Sequence, residues 1–201
     1  MTHSTPHALS SDEAIYIALA DAASPLTILT PPHPTLRQKA RAVRPDDMAD
    51  IRVILPSLFA TMYKAPGIGL AAPQVGISQR FLIIDLGQKE ETREKIPKED
   101  PTPPLVMINP EIIQESEEMA EREEGCLSLP SQYADVVRPE SIRVKWTTIT
   151  GETREYEADG LFARCIQHEI DHLNGVLFVD HLSALRRNMI LRRLSKKLKQ
   201  S

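Results

Sequence analysis

Apolar positions along the chain fall into short runs with different periods. From Met48 to Lys64, Ile51, Leu55, Leu58, Phe59 and Met62 recur at helical spacing, which predicts an amphipathic helix that Pro56 should kink. "RFLIIDL" (80–86) and "LVMIN" (105–109) are apolar runs of strand length. In "SIRVKWTTIT", Ile142, Val144 and Trp146 alternate with Arg143, Lys145 and Thr147, as in a half-buried strand, and "TGE" turns it into a second strand, "TREYEA". The period then changes. Gly160 to Asn174 carry helical spacing, with Asp159 placed as N-cap and Gly175 where a helix stops in the left-handed conformation. A last amphipathic helix, about Ser183 to Lys199, sets Leu185, Met189, Leu194 and Leu198 on one side.

The remaining stretches are connectors. Residues 1–24 read as an extension with one short helix, and "SPLTILTPPHPTLRQKA" as a Pro-broken entry segment. "GQKEETREKIPKEDPTPP" (87–104) is charged and Pro-rich, the composition of a solvated surface loop. There is no internal repeat. A chain of 201 residues with 41% apolar side chains supports one compact domain, taken as residues 25–201.

Charge excludes little. A net charge of -4 gives no whole-protein case for nucleic acid or anionic membrane, and no run reaches membrane-spanning length. The N-terminus lacks a basic start followed by an apolar core, and Asp12, Glu13 and Asp21 argue against a transit peptide. With only Cys126 and Cys165 and no export signal, the expected compartment is the cytoplasm, where a free thiol or metal ligand is favoured over a disulfide.

The chemistry concentrates in "QHEIDH" (167–172), at the centre of a predicted helix. Residues four apart share a helix face, so His168 and His172 can offer imidazole nitrogens to one ion. Glu169, turned about 100° from His168, reaches a water on that ion without being a ligand. Two solvated histidines on a surface helix are the plainer alternative, but this pattern on a capped helix favours metal. A third ligand is needed. Phe178 stands where one group of metalloproteases has a third histidine after the glycine at 175, and after His172 the sole acid is Asp180. Cys165 lies seven residues before His172, about 10 Å along the axis, too far for a metal–sulfur bond of roughly 2.3 Å. It reads as a small buried residue beneath the site. Unless Asp180 or His181 folds back, Cys126 in "EEGCLSLP" is left as the third ligand. A second signal, "GIGLAAPQVG" (67–76), suits a strand edge along which another backbone can lie, with Gln74 as an amide donor. Taken alone it is a glycine-rich turn, and it lacks the spacing of a phosphate loop.

Together, "GIGLAAPQ", "EGCLS" and "QHEIDH", in that order and at these separations, resemble the three signature motifs of the peptide deformylases, over about Thr27 to Leu191. The resemblance implies an α+β fold of antiparallel strands around a central metal-bearing helix, followed by a C-terminal helix. It implies a hydrolase that removes the N-formyl group from the initiator methionine of nascent chains, releasing formate. Cys126, His168 and His172 would bind one divalent ion, usually ferrous iron, with zinc or nickel able to substitute. Glu169 would be the general acid/base, and the Leu127 backbone N–H and the Gln74 amide the donors to the formyl oxygen. Substrate would lie along Ile68 and Gly69, in a pocket bordered by Glu124, Gly125 and Cys165. Arg164 and Tyr133 stand where family members vary, often with an apolar residue at the first and arginine at the second. Arg186, Arg187, Arg192, Arg193, Lys196, Lys197 and Lys199 make the last helix basic, a solvated face by default and a candidate contact for ribosomal RNA. Two other readings stay open from the residues alone: a His-Glu-x-x-His metalloprotease, and a non-catalytic zinc module with no use for Glu169.

Overall fold

A computed structural model of the chain describes residues 11–87 and 104–200. The predicted charged loop falls almost wholly outside them. Helix α1 (Ser11–Ala20) precedes α2 (Met48–Lys64), which runs unbroken with Pro56 inside it. Strands β1 (Gly69–Ala71), β2 (Phe81–Ile84), β3 (Leu105–Glu115), β6 (Ser141–Thr147) and β7 (Thr153–Asp159) form one antiparallel sheet in the order β1-β2-β3-β6-β7. Strands β4 (Met119–Cys126) and β5 (Leu129–Pro139) pair separately as a two-stranded antiparallel hairpin. Helix α3 (Gly160–Leu173) and helix α4 (Ala184–Leu198) complete the chain.

The continuous apolar runs at β2 and β3 are explained by burial on both faces. Leu82, Ile84, Leu105 and Met107 point into a core shared with Phe162, Ala163, Ile166, Ile170 and Leu173 of α3. Their neighbours Phe81, Ile83, Val106 and Ile108 pack on the other side, against Ile51, Leu55, Leu58, Phe59 and Met62 of α2. The sheet is therefore covered by α2 on one face and α3 on the other. Helix α1 packs on α2, and Glu13 Oε1 accepts the Val106 backbone N–H at 3.3 Å, which fastens the N-terminal helix to the sheet. No helix among the described residues is long and apolar enough to cross a membrane.

Several expectations are corrected. Strand β3 continues past Asn109 to Glu115, because a register shift between Ile108 and Glu111 absorbs Pro110, which has no N–H to give the ladder. Asp159 sits at the N-cap of α3, but its side chain makes no capping hydrogen bond. Gly175 does take the left-handed conformation, with φ +75°. Its missing Cβ also matters, since a Cβ there would meet the Arg37 backbone at 2.7 Å. The buried seam of α4 is Ile190 and Leu194, while Leu185 is 72% exposed and Met189 44%. The surface it docks on, built from Leu129 and Val136 of β5 with Leu177, Phe178 and Val179, admits only the middle of the helix.

Candidate metal centre

Helix α3 lies buried along most of its length, so His168 and His172 project from it into the protein rather than into solvent. The hairpin brings Cys126, the last residue of β4, over them. One ligand atom each from Cys126, His168 and His172 lies within 4.8 Å of the others, and Cys126 Sγ is 3.2 Å from His172 Nε2. Sulfur and nitrogen bound to one tetrahedral ion stand roughly 3.5 Å apart, so the cluster has the dimensions of a metal site. Cys126 and Cys165 are both free thiols. Asp180 and His181 do not fold back onto it: Asp180 pairs with Arg37, and His181 Nε2 donates to Asp171 Oδ2 at 2.7 Å.

His168 is oriented from behind. Its Nδ1–H donates to Glu124 Oε2 at 2.9 Å, which leaves Nε2 free for the ion. Glu124 is in turn clamped by Arg138, with Nε to Oε1 at 2.6 Å and Nη2 to Oε2 at 3.0 Å, and by Arg164 Nη1 to Oε1 at 3.0 Å. Burial pushes the Glu124 carboxyl up, but the hydrogen bonds from His168 and Arg138 outweigh it and hold the group at about 2. Arg138 also reaches Asp171 at 2.8 Å, so a buried charged network joins β4, β5 and α3 behind the ligands. Arg138 carries no motif signal, and Asp171, although inside "QHEIDH", has no role that its spacing reveals. Their partners are distant in sequence, and only the hairpin brings them together.

Glu169 is 4% exposed, and its Oε2 is buried without a hydrogen-bond partner among the described residues. Burial raises its carboxyl to about 7 in the metal-free chain, against the opposing pull of His168. A carboxyl near neutrality with an unspent oxygen is matched to proton transfer. Gln74 is held by a local bond: its Oε1 accepts the Ala71 N–H at 2.8 Å across the 3-10 turn Ala72–Val75. That turns Nε2 toward Cys126 Sγ, 3.6 Å away, and Ser128 Oγ, 3.3 Å away.

A cavity of about 670 Å³ opens beside the cluster. The residues expected around substrate, Ile68, Gly69, Glu124, Gly125 and Cys165, all line it, as do Gln74, Leu127, His168 and Glu169. Glu124 is at the wall, yet both its oxygens are engaged by Arg138, Arg164 and His168. Gly69 lies on the edge strand, where a Cβ would come within 2.5 Å of Glu169 Oε1 and 2.9 Å of Cys165 Sγ. Gly69→Ala is therefore expected to displace the Glu169 carboxylate and lower kcat by about 10²-fold in metal-loaded protein. Steady-state kinetics at matched metal content checks this, and an unchanged kcat would contradict the close approach.

The chain matches the family model described as polypeptide deformylase over residues 25–188. The chain belongs to the polypeptide deformylase family. It is 51% identical over 172 residues to a peptide deformylase of Mesorhizobium japonicum, spanning 86% of this chain and 91% of that protein. It is also similar to the crystal structure of a peptide deformylase from Legionella pneumophila, with a TM-score of 0.77, 40% identity and coverage of 88% and 97%. A deformylase from Acinetobacter baumannii, solved with Met-Ala-Ser bound, matches at TM-score 0.72 and 36% identity, over 79% of this chain and 98% of that one. Family membership carries the activity: the enzyme removes the formyl group from nascent polypeptides.

Proposed function

We propose that deformylation runs on one divalent ion held by Cys126, His168 and His172, with Glu169 as the acid/base. The observation that carries this reading is the convergence of the three ligand atoms beside the unpartnered, buried Glu169 Oε2. The bound cation supplies Lewis-acid chemistry, making solvent acidic near neutral pH and polarising the formyl carbonyl. Glu169 takes the proton of the attacking water and returns it to the amine nitrogen as the C–N bond breaks, giving formate and a free N-terminus. The Leu127 backbone N–H and the Gln74 amide donate to the formyl oxygen as charge grows there, each such donor being worth about 3 kcal/mol. The Ala71 bond that fixes Gln74 spares the site that reorganisation.

Substrate backbone adds along Ile68 and Gly69 at the sheet edge, and the methionine side chain enters the cavity past Gly125 and Cys165. Glu124 orients His168 instead of holding substrate. Ferrous iron is the ion we assign natively, with zinc or nickel as substitutes, and the cytoplasm as the compartment. Metal-edge absorption on loaded protein tests the ligand set: one sulfur at about 2.3 Å, two nitrogens at about 2.0–2.1 Å and one further light atom are expected. A closed shell of four protein ligands would favour a structural zinc module. Cleavage of internal bonds in an unformylated peptide would favour a metalloprotease.

The basic helix α4 is the surface we assign to ribosomal RNA. Because Ile190 and Leu194 are buried, truncating the helix would strip the core, whereas Arg192, Arg193 and Lys196 are exposed and replaceable. Replacing these three with glutamine is expected to weaken ribosome cosedimentation and reduce its salt slope by about one for each phosphate no longer neutralised. Unchanged cosedimentation across salt would contradict it.

A further inference from the structure

Arg164 is a buried cation in the wall of a pocket that the deformylation reading gives to an apolar side chain. It is 8% exposed, lines the cavity, and sits one helical turn before His168 on the same face of α3. Its guanidinium is pinned from three directions: Nη1 donates to Glu124 Oε1 at 3.0 Å and to the Val136 carbonyl at 3.2 Å, and Nη2 to the Ala120 carbonyl at 3.1 Å. A guanidinium has five N–H donors. The Nε–H and one Nη2–H therefore have no hydrogen-bond partner among the described residues. Glu124 at 3.0 Å, with Asp171 balancing Arg138 beside it, offsets the charge of the two guanidiniums, so an unspent Arg164 N–H meeting the cavity would suit an uncharged acceptor and not an acid.

We infer that Arg164 is a specificity-determining residue that donates a hydrogen bond to an acceptor near the end of the first side chain, so that the pocket takes methionine sulfoxide as well as methionine. The inference rests on the deformylation reading above. A thioether sulfur is a weak acceptor, and a wholly apolar pocket would serve it. A sulfoxide oxygen is a strong acceptor, and an apolar pocket would strand it without a partner. Because the guanidinium is already fixed by Glu124 and two carbonyls, meeting that oxygen costs little side-chain ordering. The chain would then deformylate polypeptides whose initiator methionine has been oxidised.

The test compares formyl-Met-Ala-Ser, its sulfoxide and formyl-norleucyl-Ala-Ser as substrates of metal-loaded wild-type, Arg164→Met and Arg164→Lys proteins at matched metal content. Formate release from formyl-Met-Ala-Ser by wild type tests the reading beneath, independently of Arg164. Wild type is expected to process the sulfoxide within about tenfold of the parent in kcat/KM. Arg164→Met is expected to lower kcat/KM for the sulfoxide relative to the parent and norleucyl peptides by roughly tenfold or more, mainly through KM, on top of any loss common to all three substrates from the weakened hold on Glu124. Arg164→Lys, which keeps a donor and the charge opposite Glu124, recovers part of the sulfoxide activity. An equal loss on all three substrates in Arg164→Met overturns the inference, since that is what a purely structural role produces. Should Arg164→Met fail to fold, the wild-type ratio decides: sulfoxide turnover more than about 100-fold below the parent overturns it, because that is the penalty of an apolar pocket.

Discussion

Glu169→Ala is expected to leave a full complement of metal in the protein while kcat falls by about 10²–10⁴-fold. The two halves of this result have different causes. Cys126, His168 and His172 remain, and their ligand atoms stay within 4.8 Å of one another, so binding of the ion survives. What disappears is the carboxyl that burial holds at about 7 with Oε2 unspent, and nothing nearby replaces it. The Cys165 thiol, which lines the same cavity, is pushed well above its usual range by burial and the nearby Glu169 and Glu124, and is a poor proton acceptor. Metal analysis alongside kcat checks the prediction. Loss of metal in parallel with activity would show that Glu169 supports the ligands instead of the chemistry.

Arg138→Met is expected to have the largest effect on stability. The arginine is 5% exposed and satisfies both oxygens of Glu124 and one of Asp171. Removing one partner of a buried pair strands the other charge, which costs about 3–5 kcal/mol, or a fall in Tm of roughly 6–20 °C for a domain of this size. Glu124 would keep Arg164 and His168, and Asp171 would keep His181, which places the outcome toward the lower end. Because Glu124 sets the orientation of His168, metal release to a chelator should also accelerate by about 10–100-fold. A Tm within about 2 °C of wild type would mean that the network contributes little to the fold.

The signals readable in the sequence are those written in local periodicity. Ile142, Val144 and Trp146 alternate because β6 has one buried face, and His168 and His172 are four apart because α3 presents one face to Cys126. The hairpin of β4 and β5 carries no such signal. In β4 only Glu124 is fully buried and most other positions are exposed, so an alternation of apolar and polar residues never forms. Besides Leu129 and Val136 of β5, what that hairpin buries is charge, Glu124 and Arg138, and charge in a strand reads as solvent-facing until the partner on α3 is in place. Helix α4 misleads in the opposite way. Its apolar residues Leu185, Met189 and Leu198 look like a buried face, but the docking surface takes Ile190 and Leu194 and leaves those three outside. In the sequence Cys126 is left as the candidate third ligand beside Asp180 and His181, which only the structure sets aside, and the carboxylate behind His168 likewise requires the three-dimensional structure.

The most direct measurement is formate release from formyl-Met-Ala-Ser as ferrous iron is titrated anaerobically into metal-free full-length protein. The activity should rise with metal and level off when one ion is bound per chain. Formate release that is indifferent to added metal or chelator, or none at all from fully loaded protein, would contradict the account.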